Sequence, residues 1–134
     1  MKKLTLCLSL AAICGANAAW AEDDLDRAVS SICEYTKAND RASLRRKLDE
    51  NRIELRHSYE DIRCGKQSLL RTAAAAGAVD SATLIVTKVG RRAVAEAEDD
   101  GQTALQWAQK RYDSADAAGK GKIKPVLDLM HAKL

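Results

Sequence analysis

Ser68-Leu-Leu-Arg-Thr-Ala73 and Thr103-Ala-Leu-Gln-Trp-Ala108 are one phrase written twice, 35 positions apart. Each copy opens on a hydroxyl residue, the type that accepts from the free N–H groups of a first helical turn. Each then carries an apolar pair and closes on Ala, small enough to let a neighbouring helix approach. Ala74-Ala-Ala-Gly77 and the apolar run Leu84-Ile-Val86 follow the first copy; Lys110-Arg-Tyr112, a polar stretch and Val126-Leu-Asp-Leu-Met130 follow the second. Two rounds of cap, narrow helix, break and apolar helix predict an all-α fold of stacked helix-turn-helix hairpins. Such stacks serve as binding surfaces more than as catalytic sites.

Working outward, Gly77 ends the first repeated helix, and Asp80 or Ser81 is the expected cap of a return helix carrying Ala82, Leu84, Ile85, Val86 and Val89. Gly90 and the charged stretch to Asp100 form a connection, with Asp100-Gly101 as a tight-turn signal. The third hairpin starts at Thr103. Its inter-helix loop is expected over Asp113 to Lys122, and its last helix from about Ile123 with Pro125 in the first turn.

Before the repeat, Leu25, Ala28, Val29, Ile32, Cys33 and Thr36 recur at helical spacing and predict a helix over about 24–37, with the acidic Glu22 to Asp26 in its first turn. Asn39-Asp40 breaks it and caps a second helix over Arg41 to Glu50, which buries Ala42, Leu44 and Leu48 and stops at Asn51. Ile53, Leu55, Tyr59 and Ile62 fit either a short strand with a turn or a further helical turn. Gly65 marks the bend before the repeated phrase.

The start of the sequence reads differently. Met1-Lys-Lys3 is charged, Leu4 to Ala16 is a short apolar run, and Ala19-Trp-Ala21 is a small-x-small cleavage signal ahead of Glu22-Asp-Asp24. That is the pattern of a secretory signal peptide, too short and wrongly flanked for a membrane span, with cleavage after Ala21. Lipidation at Cys14 is the alternative, disfavoured because Ile13 rather than a small residue precedes it. Residues 1–21 are thus the signal and 22–134 a single domain, periplasmic or secreted.

Removing Lys2 and Lys3 from the 22 Lys and Arg leaves 20 against 19 Asp and Glu, so overall charge gives no message about nucleic acid. No later segment is apolar and long enough to span a bilayer. Ala and Leu dominate the apolar residues, with no Phe and one Pro, which favours helix over sheet. Cys7 and Cys14 leave with the signal. Cys33 and Cys64 remain, and in an oxidising compartment they most simply form one structural disulfide. A redox or metal pair is the competing reading, without a C-x-x-C or ligand cluster behind it.

The second half resembles ankyrin repeats, units of about 33 residues with a turn and two antiparallel helices. Asp100-Gly-Gln-Thr-Ala-Leu-Gln-Trp-Ala108 is similar to the Asp-Gly-x-Thr-Pro-Leu-His-x-Ala opening of that unit. Ser68 to Gly77 and Leu84 to Val86 are similar to its next portion. Ala104 stands for Pro, while Arg71 and Gln106 stand for the His that ties turn to helix. The resemblance spans residues 65–134 and implies protein binding on the concave side made of turn tips and first helices. Carried onto this chain, that surface comprises Gln67, Arg71, Asp99, Gln102, Gln106 and Lys110, all expected to be exposed. Separately, Ile32-Cys-Glu-Tyr35, Ala38-Asn-Asp40, Leu44-Arg-Arg-Lys-Leu48 and Cys64-Gly-Lys-Gln-Ser-Leu-Leu-Arg71 resemble a family of short exported two-Cys bacterial proteins of unknown function. That resemblance supports export and the Cys pair and implies no activity.

Catalytic signals are sparse. No nucleophile elbow, P-loop or dinucleotide fingerprint is present. Glu54, His57 and Asp61 share a helical face without a metal-site pattern, and His131 suits a helix C-terminus, so no metal, cofactor or catalytic residue is expected. Trp107 and Tyr112 stand on the third hairpin's first helix, Trp107 being read as core with a partner contact as the alternative. Arg41, Arg45, Arg46, Lys47 and Arg52 make a basic patch, read either as a solvated face paired with Asp49, Glu50 and Glu54 or as a binder of anionic lipid or polysaccharide. The leading expectation is a non-enzymatic protein-interaction module of the cell envelope, with no nucleic acid among its partners.

Overall fold

A computed structural model describes the backbone of residues 16–134 and the side chains from residue 23 onward. Cys7, Cys14 and most of the expected signal peptide lie outside the described residues. The rest is all-helical: α1 (Ala16–Lys37), α2 (Arg41–Glu50), α3 (Leu55–Ser58) with a 3-10 turn (Tyr59–Asp61), α4 (Leu69–Ala76), α5 (Val79–Val89), α6 (Arg92–Ala95), α7 (Ala104–Ser114) and α8 (Ala117–Ala132). α1 packs on α2, α4 on α5 and α7 on α8, giving three hairpins. First helices lie side by side in the order α1, α4, α7, and second helices in the order α2, α5, α8. The stacked-hairpin expectation is met.

Local chemistry explains most of the boundaries. Asp40 caps α2 by accepting from the Ser43 N–H, and Asn51 closes it. Ser68 accepts from the Arg71 N–H at 3.3 Å and Thr103 from the Gln106 N–H at 3.1 Å, so the repeated hydroxyls are both N-caps. At Thr103 the Gln106 side chain also accepts from the cap's own N–H, completing a capping box. The closing alanines, Ala73 and Ala108, have no exposed surface, as does Ala104, and they let α4 and α7 approach closely. Gly77 ends α4 in the left-handed region at φ +67 and lies so near the Lys122 carbonyl that a Cβ would sit 2.6 Å from it. Glycine alone fits both demands.

Several expectations are corrected. Ala42 is exposed, because it lies about 200° around the helix from Leu44 while Leu44 and Leu48 face the core. Leu25 is 56% exposed, on a stretch of α1 that runs past the end of α2. Glu22 to Asp26 are interior to α1, which starts at Ala16 and passes through the expected cleavage point. Residues 55–61 take the helical alternative, with Leu55, Tyr59 and Ile62 buried. α6 adds a turn of helix inside the expected connection 90–100. The loop at 113–122 is not there: Asp116 caps α8 by accepting from the Gly119 N–H, and Gly119, Gly121 and Pro125 are all inside that helix.

Neither Asp80 nor Ser81 caps α5. The acceptor comes from 41 positions earlier: Asn39 Oδ1 receives the Asp80 N–H at 2.8 Å and the Ser81 N–H at 3.1 Å. Asn39 Nδ2 also donates to Asp80 Oδ2 at 3.0 Å. Asn39 holds φ 57, a conformation Asn tolerates better than most residues. Thus the α1–α2 corner clamps the second hairpin onto the first. Asn39→Ala is expected to cost about 1–2 kcal/mol, since it removes a helix cap and strains a left-handed position. Asn39→Gly, which relieves the strain, should recover part of that. Urea midpoints of the three proteins measure both effects.

Candidate functional site

The two turns that precede the repeated caps form one edge of the stack. In the first, Cys64 and Gln67 exchange both backbone hydrogen bonds, at 2.8 and 3.2 Å. In the second, the Glu98 N–H donates to the Gln102 carbonyl and the Gly101 N–H to the Glu98 carbonyl, both at 2.9 Å. Gly65 and Gly101 supply the positive φ values that these turns require.

Arg71 joins the turns. Its side chain is only 6% exposed, and four of its N–H groups are used. Nε donates to Glu98 at 2.8 Å, Nη1 and Nη2 to the two oxygens of Asp100 at 2.7 and 2.8 Å, and Nη2 also to the Gln102 carbonyl at 3.0 Å. These bonds hold the Asp100 carboxyl well below the usual carboxylate range, with the Gln102 N–H contributing next. Arg63 reaches Glu98 and Asp99 at 3.3 Å each. The expectation that Arg71 is an exposed contact residue is therefore wrong: it is the buried joint between the second hairpin and the turn of the third.

Tyr59 anchors the same edge from the other side. It is buried, and its hydroxyl accepts from the Leu70 N–H at 3.4 Å in the first turn of α4. Burial pushes its phenol up to about 12, so it stays protonated across the range in which the protein would be handled.

The remaining residues of the expected concave surface fall into two adjacent hollows. Gln67 and Asp99 line one of about 210 Å³ together with Arg71, Lys66 and Trp107. Gln102, Gln106 and Lys110 line an open groove of about 600 Å³ with Leu105, Gln109, Asp113 and His131. Asp99, with 94% of its side chain exposed, Gln106 and Lys110 are freely accessible, while Gln67 and Gln102 are half-buried. Trp107 is half-buried rather than core. The guanidiniums of Arg71 and Arg111 lie over its ring, 5.5 and 5.1 Å from the centroid, contacts favoured by the negative face of the indole. Tyr112 is half-buried beside Lys120.

A third hollow, about 390 Å³, opens between the 3-10 turn and the segment 96–99, with Tyr59 in its wall. Asp61 lines it, on the 3-10 turn beyond the helix that carries His57. His57 meets Glu54 at 3.4 Å with both side chains largely in solvent. No group of three or more metal-ligating side chains occurs among the described residues. Sequence reasoning missed Arg63, Leu105 and Arg111. For Leu105 the signal was available, since 102, 105, 106, 109, 110 and 113 repeat at the spacing of one helical face.

On the basic patch, Arg46 and Lys47 both approach Glu50, at 3.9 and 3.8 Å, and Arg46 also touches Ser43. Arg41, Arg45 and Arg52 are exposed and enter no ion pair among the described residues. Neither Asp49 nor Glu54 neutralises them.

Cys33 on α1 is bonded to Cys64 in the first turn, with Cα atoms 5.6 Å apart. The bond fastens the first hairpin to the edge that carries the candidate surface. No helix among the described residues is long and apolar enough to cross a membrane.

The fold and this edge define a disulfide-stapled stack of three helical hairpins with a polar face built from two turns and two helices. Within it, residues 32–96 match the family described as Protein of unknown function (DUF3718). The match takes in both bonded cysteines, Asn39, Arg71, the C-terminal end of α1, all of α2 and the second hairpin, and it stops before α7. Every residue quoted above for the two-Cys family lies inside it. No curated protein and no solved structure matches the chain.

Proposed function

We propose that the protein is a non-enzymatic interaction module of the cell envelope. It is exported through residues 1–21 and binds another protein on the face formed by the turns at 64–67 and 98–102 together with α4 and α7. The observation that carries this reading is the fixed spacing of the two turns. Arg71 and Arg63 lock successive turns together, so Asp99, Gln106 and Lys110 are presented on a rigid frame beside two hollows. Preorganised surfaces of this kind lose less freedom on binding than loops do. The hairpin order and the cap-to-turn contact of Arg71 are consistent with ankyrin-like stacking, in which first helices and turn tips meet the partner. The disulfide fits an oxidising compartment. The solvent-exposed His57 and the scarcity of convergent reactive groups favour binding over catalysis.

The test is affinity capture from an envelope extract with residues 22–134, beside an Asp99→Arg/Gln106→Arg/Lys110→Glu variant. All three positions are exposed and the variant keeps the Arg71 joint; it gives up the Gln106 half of the capping box and the Arg63–Asp99 contact, so a thermal melt verifies that it remains folded at the capture temperature. A protein retained by the wild type and lost by the variant supports the reading; identical capture by both removes it.

A second reading draws on the unpaired Arg41, Arg45 and Arg52: binding of an anionic lipid or polysaccharide surface. It expects retention on phosphatidylglycerol vesicles that falls steeply between 50 and 300 mM salt, as exposed charge contacts do (Debye length about 10 Å at 0.1 M). Retention should vanish when the three arginines become glutamate. Retention that ignores salt, or none at 50 mM, sinks this reading.

A further inference from the structure

The turn at 98–102 carries a reactive bond as well as a surface. Asp100–Gly101 is the one Asp–Gly pair in the sequence, and no Asn–Gly pair occurs. In a flexible chain such a pair rearranges spontaneously, because glycine has no Cβ to shield its amide nitrogen. The Gly101 nitrogen attacks Cγ of Asp100. A C–N bond forms, and a carboxyl oxygen leaves as water, carrying the acid proton and the amide proton. Water then reopens the five-membered imide. Addition at Cγ restores aspartate. Addition at the main-chain carbonyl of Asp100 breaks that carbon's bond to nitrogen and leaves isoaspartate, with the chain routed through Cβ and Cγ. Water is the only other reactant, and the net composition is unchanged.

The fold opposes each requirement of this chemistry. Both carboxyl oxygens are occupied: Oδ2 accepts from Arg71 Nη1 at 2.7 Å, and Oδ1 from Arg71 Nη2 at 2.8 Å and from the Gln102 N–H at 3.0 Å. The attacking nitrogen is engaged as well, its N–H donating to the Glu98 carbonyl at 2.9 Å. The step needs the neutral acid, whose oxygen can leave, and the same bonds keep the carboxyl ionised well below the usual carboxylate range. Burial is not the barrier, since the Asp100 side chain is 42% exposed and water reaches it. Arg71 is the fixed element, buried and held at Nε by Glu98. We propose that Asp100–Gly101 is a latent isomerisation site and that Arg71 is the positioning residue that keeps it closed. When the joint between the second and third hairpins opens, the site is released. Isoaspartate then lengthens the turn by one backbone atom and displaces the carboxylate, so the arginine fork can no longer regrip it. The inference stands apart from the interaction-module reading, and either can fail alone.

The experiment follows isoaspartate at position 100 during incubation of the oxidised protein (residues 22–134) at mildly acidic pH. It is read in the tryptic peptide 93–110 by electron-transfer fragmentation. Isomerisation is slow and opening fast, so the rate follows the fraction of molecules in which the joint is open. Folded wild type is compared with wild type held unfolded in guanidinium chloride, with Arg71→Met and with Cys33→Ala/Cys64→Ala. The cysteine variant controls for lost stability, because it weakens the fold at the first hairpin and keeps every bond to Asp100. Folded wild type is expected to isomerise at least about tenfold more slowly than the unfolded chain. Arg71→Met should isomerise several-fold faster than the cysteine variant at temperatures where their folded fractions are equal. Arg71→Lys, with a single ammonium, should fall between wild type and Arg71→Met, and it carries the comparison if Arg71→Met does not fold. Equal rates in folded and unfolded wild type, equal rates in the arginine and cysteine variants, or no isoaspartate even in the unfolded chain overturns the proposal.

Discussion

Arg71→Met is expected to be the most damaging conservative-volume substitution in the second hairpin, lowering unfolding free energy by about 2–4 kcal/mol. The guanidinium is buried and fixed by Glu98, both oxygens of Asp100 and the Gln102 carbonyl. Taking it away leaves Asp100 without its counter-charge, and Glu98, which is largely buried, with Arg63 alone at 3.3 Å. Arg71→Lys should restore little, because a single ammonium cannot reproduce the planar fork that grips both oxygens of a carboxylate. Guanidinium-chloride unfolding, followed through Trp107, measures the loss; Trp107 is the only Trp after residue 21 and packs on Arg71 itself.

A pH signature separates this account from a simple packing defect. The folded pKa of Asp100 is depressed, so its contribution is fully present above the unfolded value of about 3.9 and is lost as pH falls from about 5 toward the folded value. The wild type should therefore lose stability on acidification more steeply than Arg71→Met, in which that cause of the depression is gone. A loss under about 1 kcal/mol, with the same acid profile in both proteins, would show that the joint matters little.

Removing the disulfide is expected to have an effect of the same size. A bond closing 31 positions of chain stabilises by about 3–4 kcal/mol in the loop-entropy model, chiefly by restricting the unfolded chain. Cys33→Ala/Cys64→Ala should shift the denaturation midpoint accordingly, and the reduced wild type should match the variant. The loss should fall unevenly. α1 touches the rest of the stack through α2, α4 and α5, whereas α7 and α8 are held by α4, α5, α6 and each other. Amide exchange is expected to speed up in α1 and α2 while α8 stays protected. Uniform acceleration would mean that the stack unfolds as one unit with no weaker end.

What the sequence made legible was local. Ser68, Thr103, Asp40 and Gly77 each act on a backbone group within four residues, and each was placed correctly. The failures have a common physical cause, which is that the deciding partner is far along the chain. Arg71 looks like any surface arginine until Glu98 and Asp100, 27 and 29 positions ahead, fold against it. Asn39 looks like a helix stop, and its role as the cap of α5 exists only in the packed pair of hairpins. α8 went wrong in the opposite direction. Two glycines cost about 1 kcal/mol each in a helix and an interior proline about 3, a deficit that argues for a loop. Burial of Ile123, Val126, Leu127 and Met130 outweighs it, at up to about 1.5–3 kcal/mol per side chain. The candidate surface was half legible for the same reasons: the exposed Asp99, Gln106 and Lys110 follow from helix and turn positions, whereas the burial of Arg71 and the groove beneath Leu105 need the third hairpin in place.

Site-specific photo-crosslinking in living cells compares the two candidate faces directly. A benzophenone amino acid would replace Gln106 or Lys110 on the turn-and-α7 face, and Arg41 or Arg45 on the basic face, in the full-length chain. The module reading expects positions 106 and 110 to yield the same discrete protein adduct, with none at 41 or 45. Adducts from 41 and 45 alone, or to lipid and polysaccharide only, would contradict it and give the function to the arginines of α2.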